Sequence, residues 1–334
     1  MFIVDLSKYF TAQKIAKRFE SMPPIKSTVL DLLFPEAVRE QYESPVIPIS
    51  EIAQTINVVP VVHRGSASIP LDGDTQLTGF VEPLPVRIHT LVSAKELNDM
   101  KLLGESSREK WAKRRQEKIR RTVRLNTEVF AAQAVLDGKI SFPLLQSNGQ
   151  YQIYEVTYQG QTIQNVNVAS TSKWNATEAT LVKVYELLED MADALDNAGY
   201  GGDKVTLAGK TAYSALLALI EDLTEKPKVP VRVSEKGEII IGGHTVRKLA
   251  ESYRNPKTGA TVKKLADGEI RMISKGYTSL FYAAVDDLDA NLHAMPMFVK
   301  PIPITDPSGY KLVGESKPLP AVAPKATCKA IVIA

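Results

Sequence analysis

A single cysteine, Cys328, stands in a chain of 334 residues. Without a second thiol there is no intrachain disulfide, and a cysteine-rich zinc site is excluded. Histidine is almost as scarce: His63, His89, His244 and His293 lie far apart and show no H-x-x-x-H or related ligand spacing. Apolar runs break well short of the roughly 18 residues that span a bilayer. The opening MFIVDLSKYF has neither the basic stretch nor the small-residue cleavage site of a secretory leader. A soluble chain made in the cytosol is expected, with no membrane partner. A hydrophobic content of 44% is ordinary for a globular protein and allows a substantial core.

Catalytic signatures are lacking too. The run GGDKVTLAGKT, from Gly201 to Thr211, is the nearest approach to a phosphate-binding loop, but Lys204 occupies the position where that loop needs glycine. VTLA reads instead as a strand, so a strand-to-helix turn is expected. There is no G-x-S-x-G elbow, and Cys328 falls in an apolar terminal strand with no local base. The carboxylates of DDLDAN, Asp286 to Asn291, would suit a hard cation, yet no calcium-loop continuation follows, and a solvated helix face is expected. No catalytic, cofactor-binding or metal-ligating residue is assigned.

What the chain does have is a concentration of positive charge. Arg108 to Arg124 holds nine Lys or Arg and two acidic residues, whereas the whole chain carries a net charge of only +3. The remainder is therefore slightly acidic. The pattern predicts a helix over 105–137 closed by Gly138, nearly 50 Å long at ~1.5 Å per residue. In its first half cations point all round the axis and leave Trp111, Ile119 and Val123 as a narrow seam. In its second half Leu125, Val129, Phe130, Ala132, Val135 and Leu136 form a wide apolar face. Three readings compete for the basic half. A nucleic-acid clamp would lose affinity steeply in salt, but the segment lacks interleaved aromatics and a following zipper. A merely solvated face would carry more Glu at i, i+4. A helix that meets acidic surfaces of neighbouring copies accounts for the charge segregation.

The remaining elements predict an α+β fold. TAQKIAKRFES is a short amphipathic arm with Ile15 and Phe19 on one face, ended by Pro23 and Pro24. From Ser44 onward come extended runs punctuated by Pro and Gly, with a turn at Asp72 to Asp74. About 40 residues of extended chain bury little on their own and usually bury against something else. Beyond the long helix lie a hairpin turning at Asn148 and Gly149 and a second helix beginning near Thr177 with Leu181, Val184, Tyr185, Leu188 and Met191 on its buried face. Short strands follow over 231–274, then a proline-rich return ending in CKAIVIA, which inserts into a sheet.

This order of parts resembles the lambda-like family called phage major capsid protein E, with the Hong Kong 97 phage fold. The resemblance is carried by DLLFPEA, Arg64 and Gly65, GFVEPLPVRIHTLVSAKELN, RLNTEVFAAQAVLDGKI, SKWNATEAT, and DPSGYKLVGESKPLP with CKAIVIA. It covers nearly the whole chain; each motif is weak and their colinear order carries the weight. It implies an N-terminal arm over 1–61, an E-loop over 62–97 that reaches over an adjacent subunit, and a P-domain over 98–180 with its spine helix at 105–137. It further implies an A-domain over 181–270 and a return segment with a terminal P-domain strand over 271–334. Arg64, Phe80, Glu82 and Arg87 become E-loop residues that contact a neighbouring copy. Arg114, Arg115, Lys118, Arg120, Arg121 and Arg124 become the basic face of the spine helix, some of it directed at packaged DNA. The implied role is non-catalytic: the major capsid subunit of a tailed phage or prophage, forming pentamers and hexamers of an icosahedral head around double-stranded DNA. Implied partners are a separate scaffolding protein, a portal and a decoration protein, with assembly in the host cytoplasm and residence in the virion. An encapsulin-like compartment shell and a DNA-binding protein using 108–124 are the alternatives.

Overall fold

Six α-helices frame the described residues: α1 (Ala12–Ser21), α2 (Thr28–Leu33), α3 (Ala94–Met100), α4 (Glu105–Asp137), α5 (Leu181–Asn197) and α6 (Lys210–Glu221). The computed structural model describes residues 7–9, 11–22, 25–48, 79–100, 102, 104–158, 162–221 and 228–334. Most of the expected extended excursion, including Arg64 and the Asp72 to Asp74 turn, lies outside the described residues, as does the side chain of Phe19. The chain divides into two compact units, one made of Met1–Ile47, Phe80–Glu128 and Leu280–Leu319, the other of Pro48–Gly79, Val129–Ser279 and Pro320–Ala334.

In the first unit an antiparallel sheet runs in the order Phe298–Ile304, Gly309–Ser316, Val86–Ser93. Val92, Val299 and Leu312 from this sheet close a core with Tyr9, Ile15, Met100, Ala112 and Ile119. Period-two side chains of the sheet thus meet the i, i+4 seam of α4. Gly314 permits the contact, because a Cβ there would collide with Ile119 Cγ2. Arg39–Tyr42 pairs in parallel with Leu280–Ala283 in a second three-stranded sheet. The DDLDAN run is not a helix face. Asp287 caps the short 3-10 turn Leu288–Ala290, Lys300 pairs with Asp287 at 2.7 Å and Asp289 at 2.9 Å, and the buried Lys317 ammonium is held by Asp286. These carboxylates anchor Lys300 of the strand Phe298–Ile304 and Lys317 just past the strand Gly309–Ser316, which periodicity could not foretell.

The second unit is built on a seven-stranded sheet ordered 164–165, 327–331, 269–274, 204–208, 244–248, 239–241, 231–233. The terminal strand Thr327–Ile331 is enclosed between two others, as the run of β-branched residues suggested. α5 begins at Leu181, later than expected, because Thr180 takes the N-cap and its hydroxyl accepts the Lys183 N–H at 3.3 Å. Leu181, Val184, Leu188 and Met191 then pack with Trp174, Ile270, Met272 and Cys328. Gly209 lies between strand and helix, where any Cβ would strike the Ala266 carbonyl and where its N–H donates to Glu269 O at 2.9 Å. That glycine serves close backbone approach, in keeping with the strand-to-helix reading. In the hairpin Lys139–Leu145 and Tyr151–Thr157, Gly149 turns at φ +79° and Phe142 meets Phe130 edge-on at 5.0 Å.

Candidate interaction surfaces of the long helix

The basic half of α4 divides into three faces, and the division explains most of its charge. One face receives α1 and α2. Glu109 accepts Arg18 at 2.5 Å, the Gln116 amide donates to Ile15 O at 3.5 Å, and Arg124 meets Asp31 at 2.6 Å and the Ser27 hydroxyl at 3.0 Å. Burial opposes charge on Glu109, but Arg18 and Lys14 outweigh it and hold the carboxyl below its usual range. A turn further on, the buried Glu128 carboxylate accepts the Val29 N–H at 2.9 Å and the Leu30 N–H at 2.8 Å. It thereby caps α2, whose own N-cap Ser27 makes no side-chain cap bond.

A second face meets the sheet and α3. Arg108 donates to Met100 O at 3.0 Å, Arg115 donates to Thr90 Oγ1 at 3.1 Å and pairs with Glu96, and its guanidinium stacks 5.6 Å from the Trp111 ring. The third face is open. Lys110, Arg114, Lys118 and Arg121 follow one another along it, all exposed. Arg121, with a 69% exposed side chain, shares Glu117 with Arg120 at 2.9 and 3.5 Å. At ~1.5 Å per residue the four cations extend over about 16 Å. Arg114, Lys118 and Arg121 thus face solvent, while Arg115, Arg120 and Arg124 are engaged within the chain. Leu125, expected in the apolar face, is exposed; Val129, Phe130, Ala132, Val135 and Leu136 are buried. Leu125 follows Arg121 by four residues and Lys118 by seven, so helical periodicity puts it on the open face.

Of the expected loop residues, Phe80 is 70% exposed, Glu82 is exposed, and Arg87 is fixed in the sheet by Glu315 at 3.2 Å. Burial pushes the Glu315 carboxyl above its usual range even with Arg87 beside it. The first unit also contains a pocket of about 740 Å³ between α2, α4 and the Arg39–Tyr42 strand, with Arg39, Arg124, Asp31 and Tyr282 on its wall. Neither this pocket nor the role of Glu128 was foreseen. The one available signal was an acid inside the otherwise apolar stretch NTEVFAAQAVL. Elsewhere His244 meets Glu189 at 2.8 Å and His293 meets Glu43 at 3.3 Å. Among the described residues no group of three or more His, Cys, Asp or Glu is placed to hold a metal, and no helix is long and apolar enough to cross a membrane.

The fold is similar to that of a solved prophage capsid protein from E. coli CFT073. It aligns with a TM-score of 0.63 at 16% identity, over 97% of this chain and 99% of that one. A phage-related protein from Bordetella bronchiseptica RB50 aligns with a TM-score of 0.53 at 10% identity, over 96% of each chain. At such identities the likeness is one of fold, and the fold is that of a phage capsid subunit. No curated protein sequence matches the chain. The chain belongs to the phage major capsid protein E family, whose model matches residues 11–332. It is a structural protein of the phage head.

Proposed function

We propose that copies of this chain assemble as pentamers and hexamers into the icosahedral head of a tailed phage or prophage. The observation that carries the reading is the family match over residues 11–332. In this reading residues 1–61 are the arm, 62–97 the E-loop over an adjacent subunit, and 98–180 the P-domain. Residues 181–270 point to the capsomer centres, and 271–334 return to the P-domain. Arg64, Phe80, Glu82 and Arg87 serve contacts between copies. A separate scaffolding protein and a portal assist assembly in the host cytoplasm, a decoration protein can bind the finished shell, and no catalytic step is required of the chain.

Packaged DNA is met, in the same reading, by the open face of α4. Four cations over about 16 Å run alongside roughly five phosphates of one strand, at ~3.4 Å of axis each. Replacing Lys110, Arg114, Lys118 and Arg121 together by Gln should leave the fold intact and flatten the log–log salt dependence of DNA binding by roughly 3 to 4. An unchanged slope would reduce this stripe to a solvated face. Arg120 and Arg124 are poor probes, since their loss disturbs contacts with Glu117 and Asp31.

The assembly reading is tested by electron microscopy of nuclease-treated, size-fractionated protein, expressed alone and with the scaffold-like gene beside it. Closed shells or capsomer lattices support it. A small soluble species under both conditions, with salt-sensitive DNA affinity, supports a DNA-binding protein instead. Shells filled with cargo protein and free of DNA support an encapsulin-like compartment.

A further inference from the structure

Lys317 is among the largest fully buried side chains of the described residues, and its ammonium donates to Asp286 Oδ2. Lysines are seldom enclosed to this degree. The backbone is fixed as well, since Lys317 O accepts the N–H of Ala283, three residues before Asp286, at 3.0 Å. Amine and carboxyl group are thus held in contact by two adjacent stretches of chain, with the entropy of bringing them together already spent in folding. Asp287, next in sequence, is committed elsewhere: it takes Lys300 at 2.7 Å and caps the Leu288–Ala290 turn.

A second carboxyl completes the cluster. Glu315, two positions before Lys317, is buried, with Arg87 at 3.2 Å. Burial raises its carboxyl, Arg87 and then Lys317 oppose the rise, and Asp286 and Asp287 add to it, so the lysine and both aspartates stand within electrostatic reach of this one group. Phe298 lies directly across the strand pair from Glu315 and packs with Val285 and Ala290. Apolar side chains therefore wall the inner side of the cluster, while the Asp286 side chain, 66% exposed, opens it to solvent. A buried amine touching one carboxyl, with a second, protonatable carboxyl beside them, has the parts needed to form an amide.

We propose that Lys317 and Asp286 condense into an intrachain isopeptide bond, with Glu315 as the positioned acid–base group. This is a single self-modification of the folded subunit, and it stands whether or not the chain forms shells. Within the ion pair the ammonium passes one proton to the carboxylate, which replaces two charges in the interior by a neutral amine and a neutral acid. The Nζ lone pair then adds to Asp286 Cγ. As the Cγ–OH bond breaks, Glu315 takes a second proton from the nitrogen and delivers one to the departing hydroxyl. The products are one amide and one water, and no oxidant, nucleotide or metal is consumed. Water leaves by the exposed side of Asp286, and the new bond ties the chain just past Ala283 to the chain just past Ser316.

The test is intact-mass spectrometry of the full-length chain, kept folded at neutral pH for several days and then denatured. A mass one water below that of the sequence is expected, with fragment ions from a branched peptide joining Lys317 to Asp286. Lys317→Arg keeps the positive charge and should keep the full mass. Glu315→Gln keeps both reacting groups and should slow the link by about a hundredfold, whereas Glu315→Asp, which retains the carboxyl, should recover part of the rate. A folded parent chain that stays at full sequence mass would overturn the proposal, as would a water loss that persists in Lys317→Arg or maps to unbranched peptides. Equal rates in the parent, Glu315→Gln and Glu315→Asp would remove the role given to Glu315.

Discussion

Replacing Glu128 by Gln tests whether the long helix holds α2 in place through one buried carboxylate. Glu128 accepts two backbone N–H groups, at 2.9 and 2.8 Å, from residues almost a hundred positions away in sequence. Hydrogen bonds to a buried charged group contribute about 1.5–3 kcal/mol each. Gln offers one acceptor in place of two and turns an amide N–H toward a backbone N–H. A loss of about 2–4 kcal/mol follows, from one missing bond and one donor facing another donor. Trp111 belongs to the first unit and Trp174 to the second, so the change is best read in a Trp174→Phe background where Trp111 is the reporter. With a urea slope of about 2 kcal/mol per M, the midpoint of the unassembled subunit should fall by about 1–2 M at unchanged slope. A shift below about 0.3 M would mean that the cap contributes little and that apolar packing alone seats α2.

Gly314→Ala should destabilise the first unit by about 1–3 kcal/mol through overpacking against Ile119 Cγ2, and Ile119→Leu in the same chain, which lacks that branch, should return part of the loss. Glu315 has its carboxyl raised in the folded state, so its favourable contribution is present at acid pH and is lost as pH rises through that raised value. Glu315→Gln should therefore raise the thermal midpoint at pH 7 and leave it nearly unchanged near pH ~4. Glu189 shows the opposite sign: His244, then Tyr185, hold its carboxyl below the usual range, so its contribution is present at neutral pH and lost as pH falls through the depressed value. The urea midpoint read by Trp174 should drop more on acidification below pH ~4 in the parent than in Glu189→Gln. Burial pushes the Cys328 thiol up to about 11, so a thiol reagent at pH 8 should find no reactive group in the folded chain and one after denaturation, and rapid labelling of native protein would contradict the enclosed terminal strand.

Local order was legible where it depends on neighbours in sequence. The α4 bounds and its Gly138 stop, the hairpin turn at Gly149, the strand before Gly209 and the apolar faces of both long helices follow from periodicity and from glycine's access to positive φ. The family resemblance was legible for a related reason, since the colinear order of such elements is itself a sequence property. What periodicity could not supply is the partner of each charge. Arg115 and Arg124 look alike in a helical pattern that also contains Arg114, yet only the tertiary fold pairs the first with Glu96, pairs the second with Asp31 and leaves Arg114 exposed. The same holds for Glu128 as a remote helix cap, for the DDLDAN carboxylates as lysine anchors, and for the pocket assembled from α2, α4 and two strands. The amino-acid sequence by itself determined the elements, their order and the surplus of positive charge, because these arise from backbone preference and composition. Only the tertiary structure decided which charges are neutralised inside the subunit and which stay exposed, because that depends on distances between residues that backbone periodicity does not relate, such as Arg124 and Asp31, 93 positions apart.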